Sequence, residues 1–154
     1  MRCDAEQQGI KPQRLIFARR VGLEQHLARQ PLADLFLDTL PYNAHTTCSD
    51  ALWSGLPVIT LVGNTFPGRV SASLLHAIGM PELITYSEEE YEALAIALAT
   101  DPPRLKAIKQ KLNENCLSSP LFNSHLFTKN IEKAYIKMYE RNQQNLPPDH
   151  ITID

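Results

Sequence analysis

Asp38-Thr39-Leu40-Pro41-Tyr42-Asn43-Ala44-His45-Thr46-Thr47-Cys48-Ser49-Asp50 is the stretch whose reading decides the fold of this chain. Just before it, Leu35-Phe36-Leu37 is a short apolar run of the kind found in a strand buried on both faces. Pro41 and Asn43 make the following segment a turn. Residues 46–54 then carry a helical pattern that stops at Gly55, a residue suited to a left-handed cap. Strand, polar turn and helix in that order make one step of a parallel α/β domain.

Working outward, the same alternation repeats. Leu15-Ile16-Phe17-Ala18, Pro57-Val58-Ile59-Thr60-Leu61-Val62-Gly63 and Leu83-Ile84-Thr85-Tyr86 read as further buried strands. Helical patterns fill the gaps at 21–29 and at 69–78, the latter closed by Gly79. Ser87 precedes Glu88, Glu89 and Glu90, which predicts a capped helix with carboxylates at its positive end. Pro102 and Pro103 open a helix running to about Leu117. A last helix spans about 123–141, with Phe127, Ile131, Ala134, Tyr135 and Met138 at helical spacing. Trp53 and His76 read as core positions. No repeat or low-complexity stretch interrupts the pattern, so the fold class is α/β with a doubly wound parallel sheet.

Composition narrows the function classes. At 44% hydrophobic and 21% charged, the chain falls in the globular range. Its net charge of −2, with +1 before residue 81 and −3 after it, lacks the basic excess that a phosphate backbone demands. A nucleic-acid partner is therefore not expected. No apolar run is long enough to span a bilayer, and Met1-Arg2-Cys3-Asp4-Ala5-Glu6 has no signal-peptide core, so a cytoplasmic location is expected. Cys3, Cys48 and Cys116 lie far apart with no metal or redox spacing.

Ligands of doubly wound sheets bind where strands hand over to helices. At a helix start about four backbone N–H groups lack internal partners, and the aligned dipoles place roughly half a positive charge there. Thr46 and Thr47 add hydroxyl donors with little bulk, so a phosphate can approach closely. Asp50 lies three to four residues on, along the same face, where it suits ribose hydroxyls rather than a diphosphate. The same residues also serve as ordinary caps and dipole compensation. His26, in the helix after the first apolar run, either stacks on a nucleobase or packs. No catalytic base, glycosidase-type carboxylate pair or metal cluster stands out.

These segments resemble a known family. Leu32-Ala33-Asp34-Leu35-Phe36-Leu37-Asp38-Thr39, Tyr42-Asn43-Ala44-His45-Thr46-Thr47, Asp50-Ala51-Leu52-Trp53-Ser54-Gly55-Leu56-Pro57-Val58 and Gly68-Arg69-Val70-Ser71-Ala72-Ser73 are similar to glycosyltransferase family 41. That family holds the protein O-GlcNAc transferases, the SPINDLY-type O-fucosyltransferases and bacterial TPR-linked homologues. The likeness runs from about Arg14 to Arg141 and includes Ser118-Ser119-Pro120-Leu121-Phe122-Asn123.

The resemblance implies the nucleotide-sugar-binding, carboxyl-terminal half of an inverting GT-B enzyme that acts on Ser or Thr of proteins. It implies a UDP-GlcNAc-type donor and no metal cofactor. Carried over by position, His26 matches a histidine stacked on uracil, and Val21 a backbone contact to the base. His45, Thr46 and Thr47 match the helix start at the diphosphate, and Asp50 the carboxylate on the ribose. Leu23 stands where the O-GlcNAc transferases carry a lysine, which leaves open UDP against GDP. An Asn-directed relative is a further alternative, as is a non-enzymatic remnant. Residues 1–142 are expected to form a partial Rossmann-like domain without its first two strands, followed by a loose tail at 143–154. An amino-terminal catalytic half and a TPR array, in cis or in trans, are the expected partners. Without them the chain is expected to be inactive.

Overall fold

The fold is that of a computed structural model, which describes residues 2–153. Three parallel strands form the sheet: β1 (Phe36–Leu37), β2 (Val58–Leu61) and β3 (Ile84–Thr85), in the order β1-β2-β3. Phe36 pairs with Val58 and Leu37 with Ile59, while Thr60 pairs with Ile84 and Leu61 with Thr85. Seven α-helices surround this ladder among the described residues. They are α1 (Arg2–Gln7), α2 (Leu23–Arg29), α3 (Thr46–Trp53), α4 (Val70–Ala77), α5 (Glu88–Thr100), α6 (Pro102–Ser118) and α7 (Ser124–Gln143).

The core follows from the apolar runs. Val58 and Ile59 of β2 are fully buried, and α3, α4 and α5 all pack on that strand. Leu52, Leu75, Ile78, Met80, Leu83, Leu98 and Leu112 complete the interior. Each such side chain contributes about 1.5–3 kcal/mol when removed from water. Among the described residues, every buried hydrophobic one lies between Cys48 and Leu112 inclusive.

Helix ends obey local chemistry. The Ser87 hydroxyl accepts from the Glu90 N–H, and the Asp101 and Asn123 side chains cap α6 and α7 in the same way. Gly55 (φ 77°) and Gly79 (φ 74°) adopt the left-handed conformation past α3 and α4. Helix α6 receives both ends. The Asn115 side-chain N–H donates to Ile78 O (2.8 Å), and the Cys116 thiol to Leu52 O (3.3 Å). Ile78 O is thus satisfied by α6, and Leu52 O, which already accepts from the Gly55 N–H (3.1 Å), gains a second donor.

Several sequence expectations need correction. Residues 15–18 form no strand: Leu15 has extended dihedrals, but Ile16 is 87% and Phe17 55% exposed. An apolar run becomes a strand only where another backbone takes its hydrogen bonds, and the sheet found here ends at β1. Trp53 is 60% exposed rather than core, meeting the edge of Phe122 with centroids 5.0 Å apart. It sits on the outer side of α3, whose inner face is Cys48, Ala51 and Leu52. His76 is likewise exposed, since α4 turns Ala72 and Leu75 inward. Helix α1 was not expected at all, and the 21–29 pattern becomes helical only from Leu23.

The apolar positions of α7 are arrayed as expected, yet no residue of that helix is buried. Beyond α7 the chain turns back along it. The Lys137 ammonium donates to Thr152 O (2.7 Å), and Arg141 donates to Pro147 O (2.6 Å) and pairs with Asp149 (3.3 Å).

Candidate functional site: an open helix start at the sheet edge

Helix α3 begins on the loop that leaves β1, at the carboxyl edge of the sheet. Asp38 shapes that loop. It is 5% exposed. Its Oδ1 accepts from the backbone N–H groups of Thr39 (2.9 Å) and Ala44 (2.7 Å). Its Oδ2 accepts from Asn43 Nδ2 (2.6 Å) and from the Thr60 hydroxyl (2.7 Å). Four donors around one carboxylate make its burial tolerable. With its proton committed to Asp38, Thr60 Oγ1 accepts from Asn43 Nδ2 (2.7 Å).

Other elements hold the same loop. The Tyr91 hydroxyl of α5 donates to Asp38 O (2.8 Å), and the Ser71 hydroxyl of α4 to Ala44 O (2.7 Å). Burial, and then the nearby Asp38, push the Tyr91 phenol above its ordinary value. The loop after β2 closes through Gly63 N–H to Gly68 O (2.7 Å). A Cβ on Gly68 would lie 3.0 Å from Gly63 Cα, so a side chain there would push the two ends of the loop apart by a few tenths of an ångström. Asn43 N–H donates to Pro67 O (3.3 Å) and joins the two loops.

The result is a helix start without a side-chain cap. His45 occupies the N-cap position with φ −110° and ψ −95°, and its side chain makes no capping bond. The ring instead stacks on Tyr42 (4.9 Å between centroids, 20° between planes) and meets the edge of Phe66 (6.1 Å, 89°). Thr46 and Thr47 are exposed at the first turn. With Asp38, Thr39, Tyr42, Asn43 and His45 they line a cavity of about 580 Å³, within the size range of small-molecule sites. Two buried atoms in its wall, Asn43 Oδ1 and His45 Nε2, have no hydrogen-bond partner. Amide hydrogens with no side-chain acceptor and two small hydroxyls give this wall the chemistry to receive an anion.

Cys48 lies just inside. Burial pushes its thiol up to about 12, against the opposing hydrogen bond with Ser71, so it stays protonated at neutral pH and is no nucleophile. Among the described residues no group of three or more His, Cys, Asp or Glu is placed to hold a metal ion.

Of the residues singled out in the sequence, His45, Thr46 and Thr47 come together on this cavity, while Val21, His26 and Asp50 do not line it. Asp50 is half-buried one turn further along α3. Val21 is exposed just ahead of α2. His26 is half-buried within α2, with Arg29 at its Nδ1 (2.8 Å) and Gln30 at its Nε2 (3.1 Å). Arg29 can only donate, so Nδ1 accepts, while the Gln30 amide nitrogen lies at Nε2. Both ring edges are engaged within the helix. Asp38 and Asn43, which shape the cavity, carried no role in the sequence reading. The available signal was an acid directly after an apolar run, followed by Asn five residues on.

The small parallel sheet flanked by helices is Rossmann-like, and its likeness to a solved O-GlcNAc transferase makes it the carboxyl-terminal part of a GT-B glycosyltransferase. Over 94% of its length the chain superposes on a mutant O-GlcNAc transferase of Thermobaculum terrenum, with a TM-score of 0.87 and 33% identity, covering 28% of that longer chain. The model of glycosyl transferase family 41 matches residues 1–131, and the chain belongs to that family. It is 38% identical over 97% of its length to the probable UDP-N-acetylglucosamine–peptide N-acetylglucosaminyltransferase SEC of Arabidopsis thaliana. It is 36% identical over 95% to the Caenorhabditis elegans UDP-N-acetylglucosamine–peptide N-acetylglucosaminyltransferase, and 36% over 88% to the probable enzyme SPINDLY of Petunia hybrida. The chain spans 15%, 13% and 15% of those three relatives. Among the described residues no helix is long and apolar enough to cross a membrane.

Proposed function

We propose that this chain supplies the donor-binding part of an inverting protein O-glycosyltransferase that uses a UDP-GlcNAc-type nucleotide sugar. The observation that carries this reading is the open start of α3. Its N–H groups lack a side-chain cap, and Thr46 and Thr47 stand exposed on a cavity in a chain of family 41. Amide hydrogens, helix dipole and two hydroxyls receive the pyrophosphate. They stabilise the charge that grows on the diphosphate as the sugar–oxygen bond breaks, with no reorganisation at that moment. Asp50 serves the ribose hydroxyls, while the His26 ring and the backbone at Val21 serve the base. Acceptor binding and proton removal from a Ser or Thr hydroxyl fall to an amino-terminal catalytic half and a TPR array, in cis or in trans.

Isothermal titration of the chain with UDP and then with GDP tests the reading. UDP is expected to bind. Replacing both Thr46→Ala and Thr47→Ala is expected to weaken it by about 1–3 kcal/mol through lost charge-assisted hydrogen bonds. A folded chain that gives no heat with either nucleotide would instead be a non-enzymatic remnant. Tighter GDP binding would move the donor to the guanosine class, in keeping with Leu23, which is 68% exposed at the first turn of α2.

A further inference from the structure

Elsewhere in this chain N-cap side chains serve their own helices. Ser87, Asp101 and Asn123 each accept from a backbone N–H in the first turn of α5, α6 and α7. His45 holds the same position on α3, and a neutral imidazole carries an acceptor nitrogen. Its side chain nonetheless makes no capping bond, and its buried Nε2 has no hydrogen-bond partner.

Aromatic contacts engage the ring instead. One face lies on Tyr42, and the Phe66 ring stands at 89° to it with centroids 6.1 Å apart. That separation is within the range of an edge-to-face pair. The two neighbours fix different things. Tyr42 belongs to the same loop as His45 and is 64% exposed, so it ties the ring only to its own segment. Phe66 comes from the loop after β2, which is held on several sides. Gly63 N–H donates to Gly68 O (2.7 Å), Arg69 N–H to Phe66 O (3.0 Å) and Asn43 N–H to Pro67 O (3.3 Å). Phe66 is therefore a fixed stop for the His45 ring, while its own 72% exposure leaves it little part in the core. A ring released from that stop can turn its acceptor nitrogen toward the first-turn N–H groups, as an ordinary cap does, and compete there with an anion.

We propose that Phe66 is a positioning residue for the anion cradle: by holding the His45 ring off the cap, it keeps the start of α3 open to the diphosphate. This inference rests on the pyrophosphate reading of that helix start. A double-mutant cycle read by calorimetry with UDP tests it, on the native chain, Phe66→Ala, His45→Ala and the chain carrying both. Phe66→Ala is expected to weaken UDP by about two- to tenfold, the range of one aromatic contact. With His45→Ala already present, the same change is expected to cost less than about twofold, because its effect passes through the imidazole. Phe66→Tyr, which keeps the ring, is expected to bind as the native chain does. Far-UV circular dichroism and an unchanged urea midpoint show that the Phe66→Ala chain is folded. Equal losses in both backgrounds, or no loss where His45 is present, overturn the positioning role and leave the pyrophosphate reading standing. A folded native chain that binds no UDP removes that reading and the role with it.

Discussion

Residues 2–35 and residues 36–118 of this chain hold their apolar side chains in opposite ways. Among the described residues, the later region contains every buried hydrophobic one and all three strands, together with the cavity at the α3 start. The earlier region holds two short helices and no buried residue among those described, with Ile16, Phe17, Leu23 and Leu32 each more than half exposed. Both contain runs of β-type apolar residues. Only in the later one does a neighbouring backbone accept the hydrogen bonds and a helix layer cover the faces. Apolarity supplies a tendency to be buried, and a packed partner converts it into stability.

The sharpest way to break this contrast is a pair of truncations read by urea unfolding. Ile59→Ala in β2, at a fully buried site, is expected to cost about 2–5 kcal/mol. Ile16→Ala is expected to stay within about 0.5 kcal/mol, and a cost above about 1 kcal/mol would show that the earlier region packs after all. Next in size is Asp38→Ala, which strips the acceptor from two backbone N–H groups, Asn43 and Thr60. A loss of roughly 2–3 kcal/mol is expected, together with weaker UDP binding, since the loop sets the helix start. Full affinity in a destabilised Asp38→Ala chain would mean that the cavity does not depend on its buried network.

The smallest effect concerns pH. Tyr91 has a raised phenol value in the fold, so its contribution to stability is complete below the unfolded phenol's range near 10 and is lost as pH rises through the folded value. Tyr91→Phe is expected to flatten the alkaline limb of the stability curve above about pH 10. It should also remove about 1 kcal/mol at neutral pH with the bond to Asp38 O. An unchanged alkaline limb would assign that loss of stability to other groups.

Much of the later region was legible beforehand. Runs bounded by Pro, Gly and Asp placed the three strands within two residues at either end, and Ser87, Gly55, Gly79 and Pro102 marked helix ends because capping chemistry is local. Thr46 and Thr47 could be placed at a helix start because a strand-to-helix turn at a sheet edge is itself a local pattern, whereas His45 entered through the family resemblance. Asp38 was not, since its partner Thr60 lies twenty-two positions away and its meaning exists only once β1 and β2 lie side by side. Trp53 misled because composition favours burial of tryptophan while the phase of α3 turns it outward. The run at 15–18 misled because a strand's identity belongs to a pair.

The grip of α6 on the ends of α3 and α4 bears on how a ligand is met. Asn115 and Cys116 are consecutive residues, and they fix Ile78 O and Leu52 O to a common frame. Helix α3 is thereby anchored at the end remote from its open start, with Ser71 of α4 fastening the loop at the near end. On the proposed reading, an incoming pyrophosphate meets a helix start already held at both ends. Association there should resemble seating a plug in a rigid socket, with little entropy surrendered in arranging the receptor.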